Sequence, residues 1–339
     1  MANKPRIVVE GDGGEADPPP NEADVAAPAV KPATRKFRAT IFPTTPDVDP
    51  DFAALVAELE NALGYKLWLL VHGRADDDWN AVDRKVCAAF RAHKAEIVPN
   101  EKVGLLIDSP GGHAQAAYEI VRLFQRRTAH FNTIVPLYAK SAATLITIGG
   151  HEILMGTEAE LGPLDVQIYD PDREEWDSAL NAVQSFERLN AYALMAYDQA
   201  MILFASRMGK KPQFLMPYAL QYATSIVGPM AEKIDTAEVT AKSRELKVAE
   251  DYAIRIMRPN YPLNVAERIA RNLVQQYSTH SFVIDRTEAG TPSAGRGSAF
   301  NLGLNITEIS QEIEALFTKM APYLEEDQPV LGRIVEVAS

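Results

Sequence analysis

The sequence predicts an α/β protein: a mainly parallel sheet flanked by helices on both faces, followed by a helical C-terminal elaboration. Three observations predict it. Short apolar runs such as Lys66-Leu67-Trp68-Leu69-Leu70-Val71-His72 and Lys102-Val103-Gly104-Leu105-Leu106-Ile107-Asp108 read as strands buried on both sides. Runs of this kind alternate with amphipathic helical spacing from Asp51 to Met155, the pattern of parallel strands joined by crossover helices. After Asp177 the strand signals give way to helical ones.

Taken in order, Phe52, Leu55, Val56, Leu59 and Leu63 share one face of a helix over 51–63, which leads into the strand Lys66–His72. A helix over 79–95 precedes the strand Lys102–Asp108, which ends at Ser109-Pro110-Gly111-Gly112. A helix from about Ala114 to Arg127, a strand over 131–137 and a helix entered near Ser141 follow, then a short strand Glu152–Met155 and a loop through Gly162-Pro163. Residues 178–208 form one long amphipathic helix, with Leu180, Val183, Phe186, Leu189, Ala193, Tyr197, Met201 and Phe204 at three- and four-residue steps. Further helices are expected over about 213–226, 230–257, 263–276 and 306–321, with a Gly/Pro/Ser loop from Gly290 to Gly297. Residues 1–36, rich in Pro, Ala and acidic side chains, bury too little apolar area to offset ordering and are expected to be a disordered tail. One domain is expected over 37–322, with its core at 65–170, a helical extension at 178–276 and a closing segment at 277–322, followed by a tail at 323–339.

Composition narrows the function classes. A formal charge of −12 argues against a general nucleic-acid binder and against adsorption to anionic membranes. No uninterrupted run approaches the ~20 apolar residues that span a bilayer, so no membrane insertion is expected. Cys87 is the one cysteine, which excludes an intrachain disulfide and suits a reducing, cytoplasmic setting. The six histidines are dispersed, Asp76-Asp77-Asp78 reads as a solvated loop, and no phosphate-binding fingerprint occurs. Neither a metal nor a cofactor is expected.

Two turns carry the chemistry. Gly111-Gly112, directly after a buried strand, let backbone N–H groups approach a ligand without a Cβ in the way. In Tyr138-Ala139-Lys140-Ser141-Ala142-Ala143-Thr144-Leu145, a strand passes through a small-residue turn into an apolar helix, which sets a serine hydroxyl beside backbone N–H groups. Ser109-Pro110-Gly111-Gly112, Ser141-Ala142-Ala143-Thr144-Leu145 and Glu160-Leu161-Gly162-Pro163-Leu164-Asp165, in that order, resemble the ClpP/crotonase superfamily. Within it, the chain is most similar to signal peptide peptidase A and the serine dehydrogenase proteinases. The resemblance covers about 65–170 and resumes at Tyr277-Ser278-Thr279-His280-Ser281-Phe282-Val283-Ile284-Asp285-Arg286.

That resemblance implies a serine endopeptidase working through an acyl-enzyme, with Ser141 as nucleophile and Gly111, Gly112 and Ala142 at the oxyanion-hole positions. Developing charge on a carbonyl oxygen is stabilised there by preorganised N–H donors. It also implies a peptide or protein substrate and self-association. The base is left open: the helix from Ser178 to Arg207 holds no lysine, and Lys140 and His280 are the candidates, with His113, Lys210 and Lys211 or a neighbouring subunit behind them. Two other readings stand beside the peptidase. One is a scaffold that keeps the fold without the chemistry; the other is an acyl-CoA enzyme of crotonase type, which needs no serine nucleophile.

Overall fold

In the computed structural model the described residues are 35–41, 47–74, 79–164, 167–170, 175–277, 279–290 and 301–337. The expected N-terminal tail up to residue 34, the Asp76–Asp78 run, Asp165, Ser278 and the loop beyond Gly290 lie outside them. The elements run β1 (Lys36–Ala39), α1 (Pro50–Leu63), β2 (Lys66–Val71), α2 (Arg84–Ala92), β3 (Lys102–Asp108), α3 (Ala114–Arg127), β4 (His130–Val135), β5 (Tyr138–Ala139), α4 (Ala142–Thr147), β6 (Ile153–Met155) and β7 (Glu160–Leu161). They continue through β8 (Gln167–Asp170), β9 (Glu175–Ser178), α5 (Ala179–Met208), α6 (Pro212–Ala231), α7 (Thr236–Met257), α8 (Leu263–Gln275), β10 (Ile284–Asp285), α9 (Arg286–Ala289), β11 (Ile306–Thr307), α10 (Gln311–Leu324), β12 (Val330–Gly332) and β13 (Ile334–Val337).

The central sheet has the order β11-β6-β4-β3-β2-β12, and all its pairings are parallel except that of β12 with β2. Alternation along β2 shows why its sequence is apolar throughout. Leu67, Leu69 and Val71 face a core that includes Phe52, Leu59, Phe317 and Met320 of α1 and α10, whereas Trp68 and Leu70 face one built with α2, α3, α7 and α8. In that second core Trp68, Phe90, Phe124 and Phe131 pack ring on ring with centroids 5.1–6.1 Å apart, mostly tilted or edge-to-face. The sheet is thus mixed only at one edge, and helices cover both faces.

Helix ends follow capping chemistry. Asp49 accepts from the N–H groups of Asp51 and Phe52 ahead of Pro50, and Gly64 closes α1 in the left-handed region. Asp83 caps α2 at Val86 N–H, so that helix begins at Arg84 rather than residue 79. The last helix also starts later than the expected 306. Ile306 and Thr307 are taken by parallel pairing with β6, and Ser310 caps α10 by accepting from Ile313 N–H.

One expectation is corrected. The segment 323–339, read as a tail, supplies β12 on the main sheet and β13, which pairs antiparallel with β1. The polar stretch from Glu325 to Asp327 hid a short strand whose partner lies some 260 residues earlier, beyond the reach of local patterning.

Candidate active site

The site sits beyond the C-terminal ends of the parallel strands, where an open α/β sheet leaves room for ligands. β3 runs into Ser109 and the Gly111-Gly112 turn, and β4 leads through Pro136 and Leu137 to β5, which runs alongside the extension of β3. The Ser109 N–H donates to Tyr138 O at 3.2 Å and the Lys140 N–H to Ser109 O at 3.0 Å, so the two turns are laced together by backbone.

Ser141 follows at φ 49°, ψ −118° and opens α4. A non-glycine residue at positive φ is strained by Cβ sterics, and only Asn100 shares that feature among the described residues. The turn is tight because Gly111 abuts it: a Cβ at Gly111 would lie 2.4 Å from Lys140 O and 2.8 Å from Ser141 Cβ. Gly111 and Gly112 have φ of 103° and 141°, values that L side chains rarely adopt. The separated turns that the sequence singled out therefore meet, on one cleft of about 790 Å³.

The three oxyanion-hole positions differ. The Gly111 N–H is already used, donating to Ser109 Oγ at 3.1 Å. Val82 N–H donates to Gly111 O and His113 N–H to Val82 O, a parallel bridge that turns the Gly112 N–H to the opposite side. Among the described residues neither Gly112 N–H nor Ala142 N–H has an acceptor, and both residues line the cleft. Gly111 thus contributes close approach, and the donors that face the cleft belong to Gly112 and Ala142.

The base candidates separate as well. Lys140 Nζ lies 3.1 Å from Glu160 and 3.2 Å from Leu161 O, a side chain largely covered and laid along Gly162. Its ammonium is occupied as an ion pair. His280 stands in a turn after α8, not on a strand, and lines the cleft together with Ser141. His113 lines it too, at the N-cap of α3. Lys210 and Lys211 belong to the link between α5 and α6 and are not among the lining residues.

Sequence reasoning missed two groups. The first is the wall supplied by α7: Glu245, Val248, Ala249 and Tyr252 line the cleft, and Tyr252 is anchored by stacking on Tyr118 of α3 at 4.4 Å. The second lies beneath the turns. Asp108 is fully buried at the end of β3, and Arg74 Nη1 donates to it at 2.9 Å and to Tyr138 Oη at 2.7 Å. Burial raises the Asp108 carboxyl to about 6, against the opposing pull of Arg74. A charged residue closing an otherwise apolar strand was the available signal.

The fold and this convergence define an α/β protein in which a strained serine meets a glycine turn on one cleft. Residues 84–204 match the model of the family described as ClpP-like SDH-type serine proteinase. Two uncharacterized proteins of Methanocaldococcus jannaschii are similar over shorter stretches. One is 39% identical over 71 residues, 21% of this chain and 25% of the relative; the other is 38% identical over 66 residues, 20% and 23% respectively. The matched stretch thus spans about a quarter of each relative. Among solved structures, the ClpP protease catalytic domain from Plasmodium falciparum aligns at 15% identity and a TM-score of 0.25, covering 51% of this chain and 79% of that one.

Proposed function

We propose that the chain is a serine-type endopeptidase in which Ser141 Oγ attacks a peptide carbonyl. The family match supports peptidase chemistry at the level of class. The observation that carries the finer reading is the strained Ser141 packed against Gly111 at the head of a cleft that also holds His280. His280 takes the hydroxyl proton as the Oγ–carbonyl bond forms. The Gly112 and Ala142 N–H groups receive the oxyanion, and each such donor is worth about 3 kcal/mol in the transition state. The amine leaves with the proton returned by His280, and water then hydrolyses the acyl-enzyme.

A fluorophosphonate probe tests this. Wild type is expected to be labelled and Ser141→Ala not at all; His280→Ala is expected to slow labelling about 100-fold, within the range for a lost general base, and Lys140→Ala to leave it nearly unchanged. Unlabelled wild type would favour the scaffold reading, and acyl-CoA binding without labelling the crotonase-type one.

Self-association belongs to the same proposal. The buried residues of α5 and α6 are mostly alanines, Ala196 and Ala200 on α5 and Ala219 and Ala223 on α6, with Leu215. Many large apolar side chains point outward, with Ile202 70% and Tyr218 64% exposed, and α6 carries no charged residue over its 20 positions. Apolar surface on this scale marks a contact face. Its intended cover is a second copy of the chain, since Asn190, Asp198, Gln199, Gln213 and Gln221 stud the two helices and require polar partners that lipid tails lack. No described helix is long and apolar enough to cross a membrane. Light scattering is expected to give a mass above 37.3 kDa for wild type and a shift toward it for Ile202→Lys with Leu220→Lys. A monomeric wild type counts against the face. The single, buried Cys87 fits the proposed cytoplasmic setting.

A further inference from the structure

Beneath the Gly111-Gly112 turn lies a buried polar pair that the proposed chemistry does not use. His72 continues β2 and Ser109 continues β3; both are fully buried, and the His72 N–H donates to Asp108 O at 2.9 Å. His72 Nδ1 lies 2.8 Å from Ser109 Oγ, and the same oxygen accepts the Gly111 N–H at 3.1 Å. Ser109 Oγ is thus held by the Gly111 N–H on one side and hydrogen-bonded to the imidazole on the other. Burial keeps the imidazole neutral, with a pKa lowered to about 4, so the pair stays uncharged at neutral pH. The hydroxyl is thus fixed from two sides.

This matters for the neighbouring peptide group. Pulling the Gly111 N–H inward, while Gly111 O and His113 N–H are held by Val82, fixes the peptide planes on either side of Gly112. The Gly112 N–H is then the donor of the turn that faces the cleft. A buried hydroxyl whose rotation is stopped by a second-layer imidazole holds such a donor more tightly than a solvated one.

We propose that His72 and Ser109 are a positioning pair that aims the Gly112 N–H at the carbonyl oxygen of the substrate. Its effect on rate rests on the serine-nucleophile reading; its effect on the turn does not. The test uses the full chain, with fluorophosphonate labelling resolved into probe affinity and maximal rate, and hydrogen exchange followed over residues 109–113. Ser109→Ala is expected to lower the maximal rate about 10- to 100-fold with probe affinity unchanged, and to speed exchange at the turn. His72→Asn, which keeps a hydrogen-bonding group near the Nδ1 position, is expected to retain most of the rate, and His72→Phe to lose it.

A folded Ser109→Ala variant with wild-type maximal rate overturns the proposal. If Ser109→Ala does not fold, the His72 pair decides: equal rates for His72→Asn and His72→Phe overturn it. If wild type takes up no probe, the peptidase reading fails by itself and exchange decides. Faster exchange over 109–113 in Ser109→Ala then supports the pair, and unchanged exchange overturns it.

Discussion

Gly111→Ala is expected to abolish measurable fluorophosphonate labelling and to destabilise the fold by about 4 kcal/mol, from backbone strain together with overpacking. The added methyl would lie 2.4 Å from Lys140 O, 2.8 Å from Ser141 Cβ and 2.9 Å from Ala142 N. None of these is the free end of a flexible side chain, so the relief available is movement of the serine turn itself. A backbone φ of 103° adds strain whatever room is made. Gly64→Ala is the control: φ is 74° there but nothing lies within 4 Å, so only the strain, about 1 kcal/mol, is expected. Denaturant titration and labelling of both variants check this. A Gly111→Ala protein labelled at the wild-type rate would show that the two turns are not coupled.

The second large effect is a stability change that depends on pH. Asp108 holds its proton more tightly folded than unfolded, with a pKa raised from 3.8 to about 6 by burial. The folded state therefore binds more protons through that window, and the contribution of Asp108 to stability falls as pH rises from about 4 to 6, by about 3 kcal/mol. Arg74 opposes this, so Arg74→Ala is expected to push the carboxyl higher still. Its cost is then small at pH 5, where Asp108 can be protonated, and about 3 kcal/mol at pH 8, where a buried carboxylate has lost its partner. Asp108→Asn is expected to flatten the acid-side slope. Urea unfolding at both pH values measures it; an equal loss at pH 5 and 8 would remove Asp108 as the cause.

The sheet was legible because its central strands are covered on two sides and so read as unbroken apolar runs, as β2 and β3 do. The two edge strands were not. Ile306–Thr307 and Val330–Gly332 owe their conformation to partners at Ile153 and Val71, and nothing local marks them as strand. At the site, the serine and the paired glycines could be found because the chemistry demands those residue types at those turns. The partition among Gly111, Gly112 and Ala142 could not, because it depends on a hydroxyl from Ser109 and an imidazole 37 positions away. Lys140 was set apart by Glu160, and His280 was brought to the cleft by a turn after α8.

The antiparallel pairing of Val330–Gly332 with Leu69–Val71 has a further meaning for how the molecule stays apart from its neighbours. Lys66–Val71 is among the most apolar stretches in the chain, and without that companion one side of its backbone would present open N–H and C=O groups to any passing strand. Three residues of β12 thus act as a selvedge. They finish a border that would otherwise fray into aggregation.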